Sequence, residues 1–261
     1  MPGTVRTQIE GPVGTLVFDH PERRNAISAD MWTQIPVAAE AVASDPSVRV
    51  VVLRGAGETA FVSGADISEF ESQRSDPETG GSYDSGSARA FGALASIEKP
   101  VIALIHGFCI GGGLAVALCA DLRYGADDSR LGIPAARLGL GYGMAGLDTL
   151  SKVVGYSSAK EIMFTARRYS ADEALRMGLL NAVVPKAELD GFVAARAAEI
   201  AANAPLTVRA AKLALRELEK DAERRDPQRV SAAIRACYRS DDYREGVRAF
   251  LDKRRPEFRG A

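Results

Sequence analysis

Two glycine-bearing turns are the parts of the sequence whose residue types and spacing could do chemistry. The first is residues 61–67 (FVSGADI), and the second is Gly111-Gly112-Gly113. Each follows an apolar run typical of a buried strand, at 48–54 and at 100–106, and each precedes a segment with helical character. A strand that runs through a tight turn into a helix leaves backbone N–H groups unpaired. Two such groups directed at one point would stabilise negative charge on a carbonyl oxygen.

The elements that must position these turns predict an α/β chain. Alternating residues near the N-terminus predict a β-hairpin with its turn at Gly11-Pro12. Ser28 is expected to cap a helix that directs Ile35 and Val37 toward a core. Further apolar strands then alternate with helical segments, which is the pattern of a fold with helical crossovers.

The rest of the chain contains one polar insertion and a helical C-terminal part. Residues 72–87 are polar and rich in glycine, which favours a mobile loop over a ligand or, with equal weight, an unstructured surface insertion. From about residue 143 onward helix dominates. Residues 170–173 (SADE) are a capping-box signature, and 187–203 and 206–224 are long and amphipathic.

Composition and charge exclude several classes of partner. The chain has 261 residues, 46% of them hydrophobic and 26% charged, with a net charge of −1. These values predict one globular core and give no reason to expect nucleic acid or an anionic membrane as a partner. The three cysteines lack metal-ligand spacing and favour reduced thiols. Neither a leader segment nor a membrane-spanning run is recognisable, so a cytoplasmic location is expected.

The motifs around these turns resemble those of the enoyl-CoA hydratase/isomerase (crotonase) superfamily over essentially the whole chain. The motifs are PERRNA at 21–26, FVSGADI at 61–67, KPVIA at 99–103 with GFCIGGG at 107–113, ADLR at 120–123, SADEA at 170–174 with Gly178-Leu179, and AFLDKR at 249–254. Chance agreement in this order and spacing is improbable, so the motifs are jointly specific.

The resemblance implies a fold and an assembly. The fold is the crotonase (ClpP-like) spiral of ββα units, with residues 1–195 as the core that carries an acyl-CoA site. Residues 196–261 would be a helical oligomerisation region that builds a homotrimer or a hexamer made of two trimers.

The resemblance also implies the residues of the site. The backbone N–H groups of Ala65 and Gly112 would form an oxyanion hole for a thioester. Coenzyme A would lie along Arg24, Ala26, Ser63, Asp66 and Ile67, with its adenine against the 63–67 loop, while Phe250 and Lys253 reach it from the C-terminal helix. For Arg24 and Lys253 the alternative is an ordinary surface charge. No metal and no separate cofactor are expected, because coenzyme A enters as part of the acyl-CoA substrate.

The acids that hydratases of this family use are absent from the expected positions. Two glutamates position a water and move its protons. They would fall two residues after the third glycine, at Ala115, and after the later proline, at Ala135. The aspartate of the dienoyl isomerases would fall at Gly143. Alanine and glycine have no proton to transfer, so hydration by two glutamates is not expected.

Tyr142 is the remaining candidate for a catalytic side chain. It falls where the family's methylmalonyl-CoA decarboxylases have an active-site tyrosine, although those enzymes carry a histidine at the position of Ala65 and keep the first glutamate. Decarboxylation suits a site without bases, because the carboxylate leaves once the hole stabilises the enolate. The alternative for Tyr142 is simple packing in a glycine-rich loop.

The sequence therefore predicts a lyase that stabilises a thioester enolate, acting by hydration or by decarboxylation of a malonyl-type thioester. The alternative, which the alanines favour, is an acyl-CoA-binding protein without activity. His20 and His106 are expected to form structural hydrogen bonds, since neither has a nucleophile beside it. A swing of Glu69 or Glu71 into the site is a further hypothesis, and Cys109 is expected to be a core residue.

Overall fold

A computed structural model describes residues 2–66 and 77–260 of the chain. Its strands are β1 (Thr4–Glu10), β2 (Val13–Asp19), β3 (Val50–Gly55), β4 (Ala60–Val62), β5 (Val101–Ile105), β6 (Phe108–Ile110), β7 (Leu122–Ala126), β8 (Arg130–Gly132), β9 (Tyr169–Ser170) and β10 (Ala182–Val184). Its helices are α1 (Ala29–Ser44), α2 (Pro77–Ser96), α3 (Gly112–Leu118), α4 (Met144–Thr165, broken at Gly155), α5 (Ala171–Arg176), α6 (Leu189–Ala201), α7 (Pro205–Leu218), α8 (Pro227–Arg239) and α9 (Asp241–Leu251). Ile67, Glu69 and Glu71 lie outside the described residues.

Two sheets are wound together by a repeated unit of two strands and a helix. The larger sheet has the order β1-β2-β3-β5-β7-β10 and the smaller β4-β6-β8-β9. Each of the units β3-β4-α2, β5-β6-α3 and β7-β8-α4 places one strand in the larger sheet, the next in the smaller sheet, and then a helix. Strands of successive units pair in parallel. This is the predicted ββα arrangement, and it places the turns that follow β4 and β6 side by side.

The larger sheet is covered on both faces. In β3, Val51 and Leu53 belong to the main core, whereas Val50 and Val52 belong to a second core that includes residues of α6. Successive side chains of a strand point to opposite faces, so a continuous apolar run marks a strand that is buried on both sides. Phe61 of β4 also lies in the main core, which anchors the first turn.

The predictions for the N-terminal elements are confirmed except at one residue. β1 and β2 form the antiparallel hairpin across Gly11. The Ser28 hydroxyl accepts a hydrogen bond from the Met31 N–H at 3.3 Å and so caps α1. The prediction for Val37 is wrong, because its side chain is 72% exposed. Val37 lies two residues beyond the buried Ile35, and two residues turn a helix by more than half a revolution.

The prediction of a loop at 72–87 is wrong for residues 77–87, which form the first half of α2. Further along the same helix, Ala90 and Leu94 are fully buried in the main core, and α2 packs against α1. Their spacing of four residues places both on one face of the helix, so burial of that face outweighs the low helix propensity of the glycines. Residues 72–76 lie outside the described residues.

The C-terminal part is helical, as predicted. Helix α6 spans the expected boundary between residues 195 and 196 and packs Leu189, Val193 and Ala197 into the second core. Within the described ranges, none of the helices combines the length and apolar character that crossing a membrane requires. The division of the chain at residue 195 and the role of its last part in assembly stay predictions.

Candidate active site

A buried asparagine joins the loop before α1 to strand β4. Asn25 is 1% exposed, and its amide nitrogen donates to the carbonyl oxygens of Ala56 at 3.0 Å and Ala60 at 2.8 Å. Its side-chain oxygen accepts from the His20 N–H at 3.0 Å. The backbone of Asn25 is left-handed, with φ of 57°, a conformation that asparagine tolerates better than most residues. These bonds hold the loop and the first turn together.

The first turn directs one N–H group away from that loop. The Ile27 N–H donates to the Gly64 carbonyl at 2.8 Å, and the Asp66 N–H donates to the Ile27 carbonyl at 2.9 Å. This parallel bridge uses the backbone groups on both sides of Ala65, so the Ala65 N–H points to the opposite side. Among the described residues this N–H has no acceptor. Gly64 has φ of 120°, a conformation that favours glycine.

The second turn brings another N–H group to the same place. Gly113 packs so closely on β4 that a side-chain carbon there would lie 2.1 Å from the Val62 carbonyl oxygen. A carbon added to Gly112 would lie 3.6 Å from the Ala65 nitrogen and 3.5 Å from the Trp32 ring. Gly112 is the first residue of α3, and its N–H has no acceptor in the described part of the chain. The structure therefore brings together Ala65 and Gly112, the predicted pair.

The described side chain next to Gly112 is an aromatic ring, that of Trp32. The rings of Trp32 and Phe91 meet edge to face with centroids 5.3 Å apart. Ala115 is half-buried in α3 and Ala135 is 5% exposed, and neither offers a proton. Cys119 lies one helical turn after Ala115 and donates to its carbonyl oxygen at 3.4 Å. Burial raises the pKa of the Cys119 thiol to about 12, so all of these side chains are uncharged at neutral pH.

Tyr142 lies in the glycine-rich segment before α4 and packs against the main core. A carbon added to Gly146 would lie 2.7 Å from Cε1 of its ring, so the ring covers that glycine. Burial raises the pKa of the Tyr142 hydroxyl, with a smaller contribution from Cys119. The hydroxyl is therefore protonated at neutral pH. Tyr142 packs as the alternative for this residue predicts, and it also lies near Cys119, the residue that follows α3.

The residues predicted to bind coenzyme A fall into two groups. Arg24, Ala26, Ser63 and Asp66 lie in the loops around the first turn; Arg24 is exposed, Ser63 is half-buried, and the other two are buried. Ile67 lies outside the described residues. Phe250 is 83% exposed and Lys253 is exposed just beyond α9. Phe250 borders an apolar groove of α7, α8, α9 and the C-terminal tail, and none of the described residues that line it belongs to either turn. Among the described residues, the groove that Phe250 borders is therefore separate from Ala65 and Gly112.

Sequence reasoning missed three side chains around the turns, namely Trp32, Phe108 and Arg168. Trp32 borders Gly112, as described above. Phe108 of β6 lies beneath the guanidinium groups of Arg24 and Arg168, whose Cζ atoms are 4.9 and 5.6 Å from its ring centroid. A tryptophan on an apolar helix face or a phenylalanine in a strand is ordinary, and no local pattern marks either as part of a site.

The two histidines make the hydrogen bonds expected of structural residues. His20 Nδ1 lies 3.1 Å from the Ala26 carbonyl oxygen, and His106 Nε2 lies 2.7 Å from the carboxylate of Asp190. Cys109 is fully buried in the main core, where burial raises its pKa far above the usual range of a thiol. The hydrogen bonds described for His20, His106 and Cys109 do not involve the N–H groups of Ala65 and Gly112.

Comparison with known proteins finds relatives along the whole chain. A family model described as enoyl-CoA hydratase/isomerase matches residues 8–261. The chain is 35% identical to the short-chain-enoyl-CoA hydratase of Clostridium acetobutylicum, over 95% of this chain and 94% of the relative. It is 33% identical to the methylmalonyl-CoA decarboxylase of Escherichia coli, over 95% of both. A crystal structure of an enoyl-CoA hydratase/carnithine racemase from Magnetospirillum magneticum matches with a TM-score of 0.92 and 36% identity, over 98% of this chain and 96% of the other. These matches confirm the crotonase fold.

Proposed function

The chain belongs to the enoyl-CoA hydratase/isomerase family, and we propose that it acts on acyl-CoA thioesters through an enolate held by the N–H groups of Ala65 and Gly112. The observation that carries the proposal is the convergence of the two turns. A carbon on Gly112 would lie 3.6 Å from the Ala65 nitrogen, and neither N–H has an acceptor among the described residues. One donor of this kind contributes a factor of roughly 10²–10³ to kcat.

Within this proposal, decarboxylation of a malonyl-type thioester suits the surroundings of the pair. The bond between the α-carbon and the carboxylate breaks, carbon dioxide leaves, and the bonding electrons enter the thioester enolate. The enolate oxygen accepts from both N–H groups, and no base is needed, in keeping with Ala115 and Ala135. The apolar ring of Trp32 beside Gly112, backed by the ring of Phe91, would disfavour the carboxylate of the substrate relative to neutral carbon dioxide.

The enolate carbon must then take up one proton, and Tyr142 is our candidate for the donor. Its raised pKa keeps the phenol protonated at neutral pH, and the ring lies near Cys119, the residue that follows the helix that begins at Gly112. Solvent returns the proton to the phenolate after each turnover. A well-placed general acid contributes a factor of roughly 10²–10⁴. The identity of 33% with a methylmalonyl-CoA decarboxylase adds support.

Hydration of an enoyl-CoA is the second candidate, favoured by the identity of 35% with a short-chain-enoyl-CoA hydratase. It requires groups other than residues 115 and 135 to hold a water and take its proton. Glu69 and Glu71 follow the first turn in sequence and are the carboxylates to test for that role. Binding of acyl-CoA without turnover is the third outcome.

Coenzyme A and a second copy of the chain complete the proposal. The nucleotide would lie along Arg24, Ser63 and Asp66, and Phe250 with Lys253 would reach it from a neighbouring subunit of a trimer or hexamer. Support for the assembly comes from the exposure of Phe250, 83%, on an apolar groove of the C-terminal helices.

Mass spectrometry of a mixed acyl-CoA panel that includes methylmalonyl-CoA and crotonyl-CoA tests the reaction. Loss of carbon dioxide from methylmalonyl-CoA, with crotonyl-CoA unchanged, is the expected result. Gain of water on crotonyl-CoA would replace decarboxylation by hydration. Tight binding with no turnover of any acyl-CoA would leave only the third hypothesis, an acyl-CoA-binding protein without activity.

A tyrosine pair then tests the proton donor. Tyr142→Phe keeps the ring on Gly146 but removes the hydroxyl, so kcat should fall by roughly 10²-fold while thermal stability is retained. Tyr156, 75% exposed in α4, provides the matched control, and Tyr156→Phe should leave kcat unchanged. Equal activity of the two variants would remove Tyr142 from the mechanism.

A further inference from the structure

We infer that Trp32 determines the acyl specificity of the proposed site, its ring restricting the acyl group to chains of up to roughly four carbons. This inference rests on the proposed function, because it sets the size of the group that the same site accepts. Neither Trp32 nor Phe91, which lies behind it, belongs to the motifs by which the chain resembles its family.

The helix that begins at the second turn is only partly covered on one face. Gly112, Ala115 and the following Cys119 are partly exposed, whereas the remaining residues of α3 are buried. Spacings of three and four residues place these positions on the same face of a helix. Their side chains are small or absent, so this face leaves room beside Gly112 for part of a bound acyl group.

Two aromatic rings lie along this face. Cζ2 and Cη2 of Trp32 would lie 3.5 and 3.6 Å from a carbon added to Gly112, so the edge of the indole is at the start of the face. Phe91 meets Trp32 edge to face, with ring centroids 5.3 Å apart. At the other end of the face, the Phe91 carbonyl oxygen accepts from the Cys119 thiol at 3.8 Å. The contacts therefore form a closed circuit, because α3 connects Cys119 back to Gly112.

The distance between the bound oxygen and the Trp32 ring has an upper limit. A side-chain carbon lies about 2.5 Å from its own backbone nitrogen, so Cζ2, 3.5 Å from such a carbon on Gly112, is within about 6 Å of the Gly112 nitrogen. An oxygen that accepts from this nitrogen lies about 2.9 Å from it, and so within about 9 Å of Cζ2. Contact with the ring takes up about 4 Å of that distance. About 5 Å is left, which is roughly where the fourth carbon of an acyl chain directed at the ring lies.

The acyl chain is directed at the ring because the sulfur of the thioester takes the other direction. Coenzyme A is expected along Arg24, Ala26 and Ser63, in the loops around the first turn. With the oxygen at Ala65 and Gly112 and the sulfur toward these loops, the α-carbon lies toward α3 and Trp32.

The packing of Trp32 keeps the ring from moving aside for a longer chain. Its side chain is 3% exposed and belongs to the main core, and α1, which carries it, packs against α2, which carries Phe91. Side chains in a close-packed core have little free space into which to move. A chain that is too long is therefore excluded by a fixed surface.

Calorimetric titration of the full-length protein with butyryl-CoA and octanoyl-CoA tests the inference. Both are saturated thioesters without a carboxylate, so neither reacts by either candidate route. The quantity of interest is the ratio of their dissociation constants, because a general loss of stability affects both ligands alike. The wild type should bind butyryl-CoA roughly tenfold more tightly, since the longer chain overfills the space before the ring. Trp32→Leu should bind octanoyl-CoA at least as tightly as butyryl-CoA, because each newly buried methylene tightens binding roughly fourfold.

A pair of phenylalanines provides a second variant and its control. Phe91 is half-buried, so Phe91→Ala removes the ring behind Trp32 at a lower cost in stability than a change at Trp32 itself, and it should shift the ratio in the same direction. Phe192 is also half-buried and meets Tyr124 edge to face at 5.2 Å, but it packs against the second core. Phe192→Ala should keep the wild-type ratio.

The outcomes separate this inference from the proposed function. A wild-type ratio in Trp32→Leu, or in Phe91→Ala where Trp32→Leu does not fold, overturns the role of the ring. Equal affinity of the wild type for the two thioesters also overturns it, while their binding still supports the proposed function. Failure of the wild type to bind any acyl-CoA overturns both.

Discussion

Gly112→Ala should abolish most of the activity and leave the fold intact. Gly112 has no left-handed backbone, and an added carbon would meet its nearest neighbours at 3.5 and 3.6 Å, which are ordinary contact distances. A methyl group is therefore accommodated by the helix terminus. The neighbour at 3.6 Å is the Ala65 nitrogen, the other donor of the proposed oxyanion hole.

The magnitude follows from the space in front of Ala65. An oxygen that accepts from its N–H lies about 2.9 Å from the nitrogen. The methyl carbon of the variant lies 3.6 Å from the same nitrogen, so the oxygen is displaced from at least one of its donors. Loss of one donor costs about 2.7–4 kcal/mol in the transition state, a fall in kcat of roughly 10²–10³.

Steady-state turnover of the active acyl-CoA from the panel, together with thermal unfolding, measures the effect. Gly92→Ala is the matched control, since Gly92 is an exposed residue of α2 whose added carbon would meet nothing within 4 Å. The control should keep full activity and gain roughly 0.5–1 kcal/mol of stability. A Gly112→Ala protein with the wild-type kcat and a normal unfolding transition would refute the placement of the oxyanion between the two turns.

The remaining predictions concern stability. Gly113→Ala should prevent folding or cost about 3 kcal/mol or more by urea denaturation, because its carbon would lie 2.1 Å from a backbone oxygen of β4. Asn25→Ala should cost about 2–4 kcal/mol by the same assay, as the buried Ala60 carbonyl and the partly buried Ala56 carbonyl lose their donor, and an unchanged midpoint would contradict the bonds described. The pKa of the Glu173 carboxyl is lowered from its ordinary 4.5 to about 2, first by the hydrogen bond from the Ser170 N–H and second by the hydrogen bond from Arg167. Its stabilisation is therefore complete above pH 4.5 and lost as the pH falls toward 2, so acid unfolding of Glu173→Gln should be less steep than that of the wild type.

Much of the fold could be predicted because its signals are local. The apolar runs of β3 and β5 are buried on both faces, and Ser28 and Ser170 cap helices through bonds within one turn of chain. The first half of α2 could not be predicted in this way. Its glycines and polar residues indicate a loop, and the burial that stabilises the helix, at Ala90 and Leu94, comes from contact with α1.

The candidate site shows the same division. Gly64 and Gly113 mark the turns in the sequence because a left-handed φ or a close backbone approach requires glycine there. That the Ala65 and Gly112 N–H groups come together depends on the parallel pairing of β4 and β6, which the motifs imply only through resemblance. The gathering of Arg24 and Arg168 on Phe108 depends on three separate segments, and no spacing in the sequence indicates it.

Infrared difference spectroscopy of a bound thioester tests the central claim most directly. Butyryl-CoA, isotope-labelled at the thioester carbonyl carbon, offers neither a double bond nor a carboxylate, so it binds without reacting by either candidate route. Two N–H donors polarise a carbonyl that they both contact, so its stretching band should shift to lower frequency on binding to the wild type and to Gly92→Ala, and less in Gly112→Ala. A saturably bound thioester with an unshifted band would contradict an oxyanion hole at Ala65 and Gly112.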